Sequence, residues 1–244
     1  MKAIIFIGIV ILTGCSKKED LQLVNAVDFY PLQSGKIFIY RLDSTVLGPL
    51  NQTLITRSYI AKDSVESKFV DANNDTAFRI FRFIRDTLQT QPYRYIATYI
   101  ATKKNNTIEY TDNNLRFVTL VSPVKENMNW NGTVYVNTIS PSPFSYMNGW
   151  KFTYSRVNEN FITRKGVISN TVTIEQADET LPNLPFNPNA YQEKSFAKEV
   201  YAKGIGLIYK EFLRWVYQPP APGVTNTYYQ EGSFGIKLNL IDYK

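Results

Sequence analysis

Apolar and polar residues alternate with a period of two along most of this chain. Between residues 36 and 42, Phe38, Tyr40 and Leu42 fall on one face, and Ile37, Ile39 and Arg41 on the other. That is the signature of an extended strand. Residues 54–66 and 77–85 continue in Ile, Val, Phe and Tyr, with a turn at Asp71-Ala72-Asn73-Asn74-Asp75 between them and Arg79, Arg82 and Arg85 interspersed. In the next predicted strand, 93–102, Tyr93, Tyr95, Ala97, Tyr99 and Ala101 share a face. Lys103-Lys104-Asn105-Asn106 and Asp112-Asn113-Asn114 read as turns, leading into strands at 107–111 and 115–121. Trp130-Asn131-Gly132 opens a short predicted strand that runs through Val136, and Ser140-Pro141-Ser142-Pro143 marks a loop. Residues 150–157 and 167–176 read as strands, 178–190 as a long loop, and 191–198 as one or two helical turns. From Ala202 the strand pattern resumes. Gly204-Ile205-Gly206 turns into 207–217, Pro219-Pro220-Ala221-Pro222-Gly223 stops that run, and 234–240 closes the chain with Phe234, Ile236, Leu238 and Leu240 inward.

No segment after residue 20 sustains helical periodicity over three turns, and no internal repeat is evident. Short strands joined mostly by hairpins predict an all-β fold built on one antiparallel sheet. Several strands are apolar on both faces, as in a sheet wrapped round its own core. A strongly curved sheet, an open barrel or half-barrel, is therefore expected, with a two-sheet sandwich as the alternative.

The first residues depart from this pattern. Lys2 precedes a short apolar run, 3–12, of signal-peptide length. Leu12-Thr13-Gly14-Cys15 follows and resembles a bacterial lipobox. The expected organisation is a signal peptide at 1–14, a lipidated Cys15 with a tether at 15–28, and a β domain at 29–244. Acyl chains on Cys15 would hold the protein on a membrane without a spanning helix. Lys18-Glu19-Asp20 resembles the export signal of Bacteroidota surface lipoproteins, which implies an outer-membrane anchor facing the cell surface; a periplasm-facing anchor is the alternative. Asp43-Ser44-Thr45, Asp63-Ser64-Val65, Asp75-Thr76-Ala77 and Asp86-Thr87-Leu88 resemble the O-glycosylation pattern of the same bacteria, although Asp-Ser and Asp-Thr pairs also open turns.

Composition narrows the chemistry. The 244 residues include no histidine and one cysteine. Histidine-based triads, zinc sites with histidine ligands, disulfides and cysteine clusters are thereby excluded. The formal net charge is +6 at pH 7, yet the basic residues are scattered along the sequence. Nucleic acid is not an expected partner; attraction to anionic glycans or lipids is.

Four features invite a functional reading. Asp71, Asn73 and Asp75 have calcium-loop spacing, but Thr76 stands where glycine is needed and Arg82 where the final Glu belongs, so a hairpin turn is expected. Gly204-Ile205-Gly206 lacks a third glycine and a following helix, so a turn is expected there too. Glu199 and Glu211 read as exposed strand charges rather than a glycosidase pair. Trp130, Trp150 and Trp215, with 17 tyrosines in the chain, are candidates to stack on sugar rings or line an apolar cavity.

Phe29-Tyr30-Pro31-Leu32-Gln33-Ser34-Gly35-Lys36, Leu115-Arg116-Phe117, Pro123-Val124-Lys125-Glu126 with Trp130-Asn131-Gly132, and the segment from Glu199 through Gly204-Ile205-Gly206 to Glu211 together resemble a family of Bacteroidota lipoproteins of unknown function. The resemblance implies an envelope lipoprotein and supplies no catalytic residue. The Gly-Ile-Gly segment also resembles a closing hairpin of β-rich envelope proteins shaped like lipoprotein carriers. The expectation is a non-catalytic interaction or accessory protein without a cofactor or metal, whose partner would be an outer-membrane protein. The alternative is a glycan- or lipid-binding module using aromatic residues on the curved sheet.

Overall fold

The computed structural model describes residues 24–220, 223 and 226–244. It is all-β. The strands are β1 (Ile37–Leu47), β2 (Leu54–Val70), β3 (Thr76–Asp86), β4 (Arg94–Lys103), β5 (Thr107–Asp112), β6 (Leu115–Val121), β7 (Asn129–Trp130), β8 (Phe152–Thr163), β9 (Gly166–Leu181), β10 (Gln192–Ala202), β11 (Gly206–Gln218), β12 (Tyr228–Tyr229) and β13 (Phe234–Tyr243). They form one antiparallel sheet in the order β6-β5-β4-β3-β2-β1-β13-β11-β10-β9-β8-β7, with β12 added beside β11. No described helix is long and apolar enough to cross a membrane.

The sheet curls until its two edges meet. The Val118 amide of β6 donates to the Gly132 carbonyl just after β7 at 2.9 Å. The Trp130 indole N–H donates to the Val118 carbonyl at 2.7 Å. One turn further, the Tyr154 hydroxyl accepts from the Val121 amide and donates to the Val121 carbonyl. The seam of this nearly closed barrel is thus bridged by side chains where ladder bonds run out. An unpaired edge would otherwise expose its backbone groups.

Inward positions follow the alternation. Phe38, Tyr40 and Leu42 of β1 meet Ala61 and Val65 of β2, Ile80 and Ile84 of β3, and Leu238 and Leu240 of β13 in a first core. A second core joins Ile108, Leu120, Phe152, Tyr154, Val172 and Ile174. Ala26 and Phe29 belong to it and are fully buried. The domain therefore begins before residue 29: part of the expected tether is a strap across one barrel end, because burying Phe29 removes a large apolar surface from water. The short turn Ser145–Met147 and Trp150 close the opposite end.

Two local expectations are corrected. Residues 191–198 are not helical; Gln192–Ala202 is a strand paired on both sides, with β9 and β11. Helix-compatible residues there yield to two flanking ladders. The strand expected from Trp130 through Val136 stops at Trp130, because the Asn131 side chain accepts from the Thr133 amide and bends the chain into a turn.

Candidate functional site

The alternation that builds the barrel also carries charge into it. Arg82 lies between Ile80 and Ile84 on the inward face of β3, opposite Asp63 of β2. Its guanidinium donates through Nε and Nη2 to both carboxylate oxygens of Asp63, each at 2.6 Å. It also lies 4.7 Å from the centre of the Tyr99 ring. Burial opposes the Arg82 charge, but the Asp63 carboxylate overrides it and raises the guanidinium well above its ordinary pKa.

Across the interior, Glu199 is buried and accepts from the Tyr201 hydroxyl at 2.7 Å. Lys210 on the neighbouring strand lies 2.9 Å from Glu199. Burial disfavours the Lys210 ammonium, while Glu199 and then Asp112 hold it charged, so its pKa is raised. An ammonium held charged is a poor nucleophile at neutral pH. Burial, then Glu199, raises the Tyr201 hydroxyl well above its ordinary value. Beside these groups are two cavities of about 30 Å³ and about 60 Å³. Each has room for little more than water and none for an acyl chain.

Glu199 and Glu211 do not form a catalytic pair. Glu199 faces Lys210 across the ladder and Glu211 faces Lys198, so the two carboxylates point to opposite sides of the sheet. The exposed-charge reading fails for Glu199, whose place inside the barrel is set by its register with Lys210. The Asp71–Asp75 loop is a hairpin turn: the Asp71 carboxylate accepts from the Asn73 and Asp75 amides, both at 2.9 Å.

The three tryptophans do not share a groove. Trp130 is half-buried at the seam, 4.6 Å from Tyr154. Trp150 is buried against Tyr146 and Phe212. Trp215 is half-buried elsewhere, edge-on to Phe186 and Tyr229. The first two are packing residues. Of the Asp-Ser/Thr triplets, Asp63-Ser64 lies mid-strand with Asp63 locked to Arg82, whereas Asp86-Thr87 opens an exposed turn in which Asp86 accepts from the Thr90 and Gln91 amides. Cys15 lies outside the described residues.

Trp215 belongs to a larger surface feature. Loop 182–191 carries Leu184, Phe186 and Tyr191, all exposed; Leu184 is 64% accessible. Phe186 packs on Trp215 and Tyr217, and Tyr229 packs on the same two rings. Tyr228, also exposed, pairs with Gln218 and so points to the other side of the sheet. The loop is held by the Gln192 amide group, which donates to the Leu184 and Pro185 carbonyls. The strand register places this aromatic patch at the barrel end opposite the strap.

Sequence reasoning missed the interior ion pairs. Their signal was present: Arg82 has the parity of Ile80 and Ile84, and Asp63 that of Ala61 and Val65.

No protein-family model matches the chain, and no curated protein matches it. The chain is similar to a crystal structure from Bacteroides fragilis described as a "putative exported protein with YmcC-like fold", at 11% identity, over 87% of this chain and 96% of that one, with a TM-score of 0.38. At that level the likeness carries no argument about function.

Proposed function

We propose that this protein is a lipid-anchored envelope protein, held at Cys15 on the outer membrane, facing the cell surface, and acting there as a non-catalytic interaction or accessory protein. The anchor reading rests on Leu12-Thr13-Gly14-Cys15 and the apolar run before it. The observation that carries the interaction role is exposed Phe186 packed with Trp215, Tyr217 and Tyr229, with Leu184 exposed on the same loop. An exposed apolar surface of this kind marks contact sites. Its place at the end away from the strap directs it away from the anchor. The committed interior supports the same reading: its buried carboxylates are taken up by Arg82 and Lys210.

The test is a cross-linked pull-down of the tagged full chain from intact outer membranes, beside a Leu184→Asp/Phe186→Asp variant. A stoichiometric membrane-protein partner that the variant loses is the expected result. No enriched partner would sink the accessory role. The glycan reading would then stand on Trp215, whose half-exposed ring lies within an aromatic cluster, and a glycan screen with Trp215→Ala would decide it.

A further inference from the structure

The strap closes only part of its end of the barrel. The Val124 amide donates to the Val24 carbonyl at 2.8 Å, the Ala26 amide to Ser122 Oγ at 3.0 Å, and the Gly204 amide to the Asp28 carbonyl at 2.8 Å. These bonds pin the strap to the end of β6 and to the β10–β11 turn. On its other side, toward the β2–β3 and β4–β5 hairpins, a cleft of about 570 Å³ stays open. That volume lies within the range of small-molecule sites.

The floor of the cleft is apolar and its rim is cationic. Phe78, Ala101 and Ile108 lie at the bottom, all buried, with Leu32 of the strap beside them. Lys68 pairs in register with Phe78, which pairs with Ala101. Lys68 therefore sits on the inward face, one step from the barrel mouth. Lys103 pairs with Thr76 on the same rim. Among the described residues neither Lys68 nor Lys103 has a carboxylate within 4.0 Å, whereas the adjacent Lys104 is held by Glu109 at 3.0 Å and Asp75 at 3.8 Å. Asn25, Thr76 and Asn105 add neutral hydrogen-bonding groups. Two unpaired ammonium groups at the mouth of a half-apolar cleft leave a local positive potential without an internal counter-charge.

We infer that this cleft binds a phosphate-bearing ligand, its phosphate on Lys68 and Lys103 and its carbon skeleton on the Phe78–Ile108 floor. Lysine serves phosphate as a point charge. The ligand has two available sources, a soluble phosphorylated molecule or a lipid headgroup. The headgroup source alone rests on the anchor proposed above: Val24 is nine residues from Cys15, so the strap lies within about 30 Å of an anchored Cys15. The cleft itself does not depend on lipidation.

Isothermal titration of the full chain in detergent tests the inference, with inorganic pyrophosphate, dihexanoyl phosphatidic acid and dihexanoyl glycerol as probes. Saturable binding of pyrophosphate, weakened at least about tenfold by Lys68→Gln/Lys103→Gln and unchanged by Lys151→Gln/Lys198→Gln, supports the site and a soluble ligand. Binding of the phosphatidic acid alone, with the same loss and with no binding of the neutral glyceride, supports the site and a headgroup ligand. No saturable binding of either phosphate probe, or equal weakening by both variants, overturns it. Lys68, Lys103 and Lys151 are exposed and Lys198 is half-buried, and circular dichroism checks that the variants fold.

Discussion

Arg82 and Asp63 face one another across adjacent strands inside the barrel and form a two-pronged ion pair, both contacts at 2.6 Å and both side chains less than a tenth exposed. A buried pair of this geometry is costly to break and cheap to replace, because removing one partner strands the other charge away from water. Asp63→Asn is expected to destabilise the fold by about 3–5 kcal/mol, while Asp63→Leu/Arg82→Met stays close to the parent or exceeds it. Urea unfolding of the single and double variants measures both. A single variant as stable as the parent would mean that the pair is open to solvent.

The seam makes a separate prediction. Tyr154 is fully buried and satisfies both backbone groups of Val121, and Trp130 satisfies the Val118 carbonyl. Tyr154→Phe leaves two buried polar groups without partners and is expected to cost about 1–3 kcal/mol; Trp130→Phe removes one hydrogen bond and costs about 1 kcal/mol. Hydrogen exchange at the Val121 amide should accelerate in Tyr154→Phe more than in Trp130→Phe. Unchanged protection at Val121 would argue against closure by this side chain.

Gly132 is held to glycine by contact. A Cβ placed there would meet the Phe152 ring at 2.2 Å, and Phe152 is buried in the second core. Gly132→Ala should therefore destabilise by about 1–3 kcal/mol through overpacking. Combining it with Phe152→Leu should cost less than the sum of the two single changes, read from thermal or denaturant midpoints. Simple additivity would show that the two positions do not touch.

Alkaline pH should unfold the barrel cooperatively. Burial, first of all, raises the hydroxyls of Tyr40, Tyr110 and Tyr201 well above their ordinary value, and pushes Tyr146 up to about 12. These groups keep their protons in the folded chain at pH values where the unfolded chain releases them near 10. Their contribution to stability is whole below about pH 10 and is lost as pH climbs toward the folded values. Tyrosinate absorbance followed beside far-ultraviolet circular dichroism should show an early set ionising in a folded protein, then a late set ionising together with loss of β signal. A single tyrosine titration near pH 10 with the β signal intact would contradict this.

The strand at 36–42 was legible because its alternation runs without interruption; 115–121 and 207–217 were legible from their apolar content, although each carries a bulge, at Thr119 and Ile208. β4 shows where that legibility ends. Tyr93, Tyr95, Ala97, Tyr99 and Ala101 share a parity, yet the register slips between Arg82 and Phe83, which pair with Ala97 and Tyr95. Ile96 is the extra residue. Ala97, Tyr99 and Ala101 stay inward, while Tyr95 turns outward to Phe81 and Phe83, 6.0 Å from each. A bulge moves every residue beyond it to the other face, and a count along one strand cannot detect it. Tryptophan content likewise named Trp130, Trp150 and Trp215 as one class, although they occupy a seam, a plug and a surface cluster.

Local pattern by itself determined the fold class, the antiparallel pairing, the hairpin turns and the excluded chemistries, because alternation, turn residues and the absence of histidine are properties of the chain read one residue at a time. Tertiary structure decided the rest. Arg82 meets Asp63, and Glu199 meets Lys210, only through strand register. Lys68 and Lys103 border one cleft only because β2, β3 and β4 end at the same rim. Charge that looks scattered in sequence becomes either paired or gathered once the sheet curls, since closure of a barrel sets neighbours by register and curvature rather than by distance along the chain.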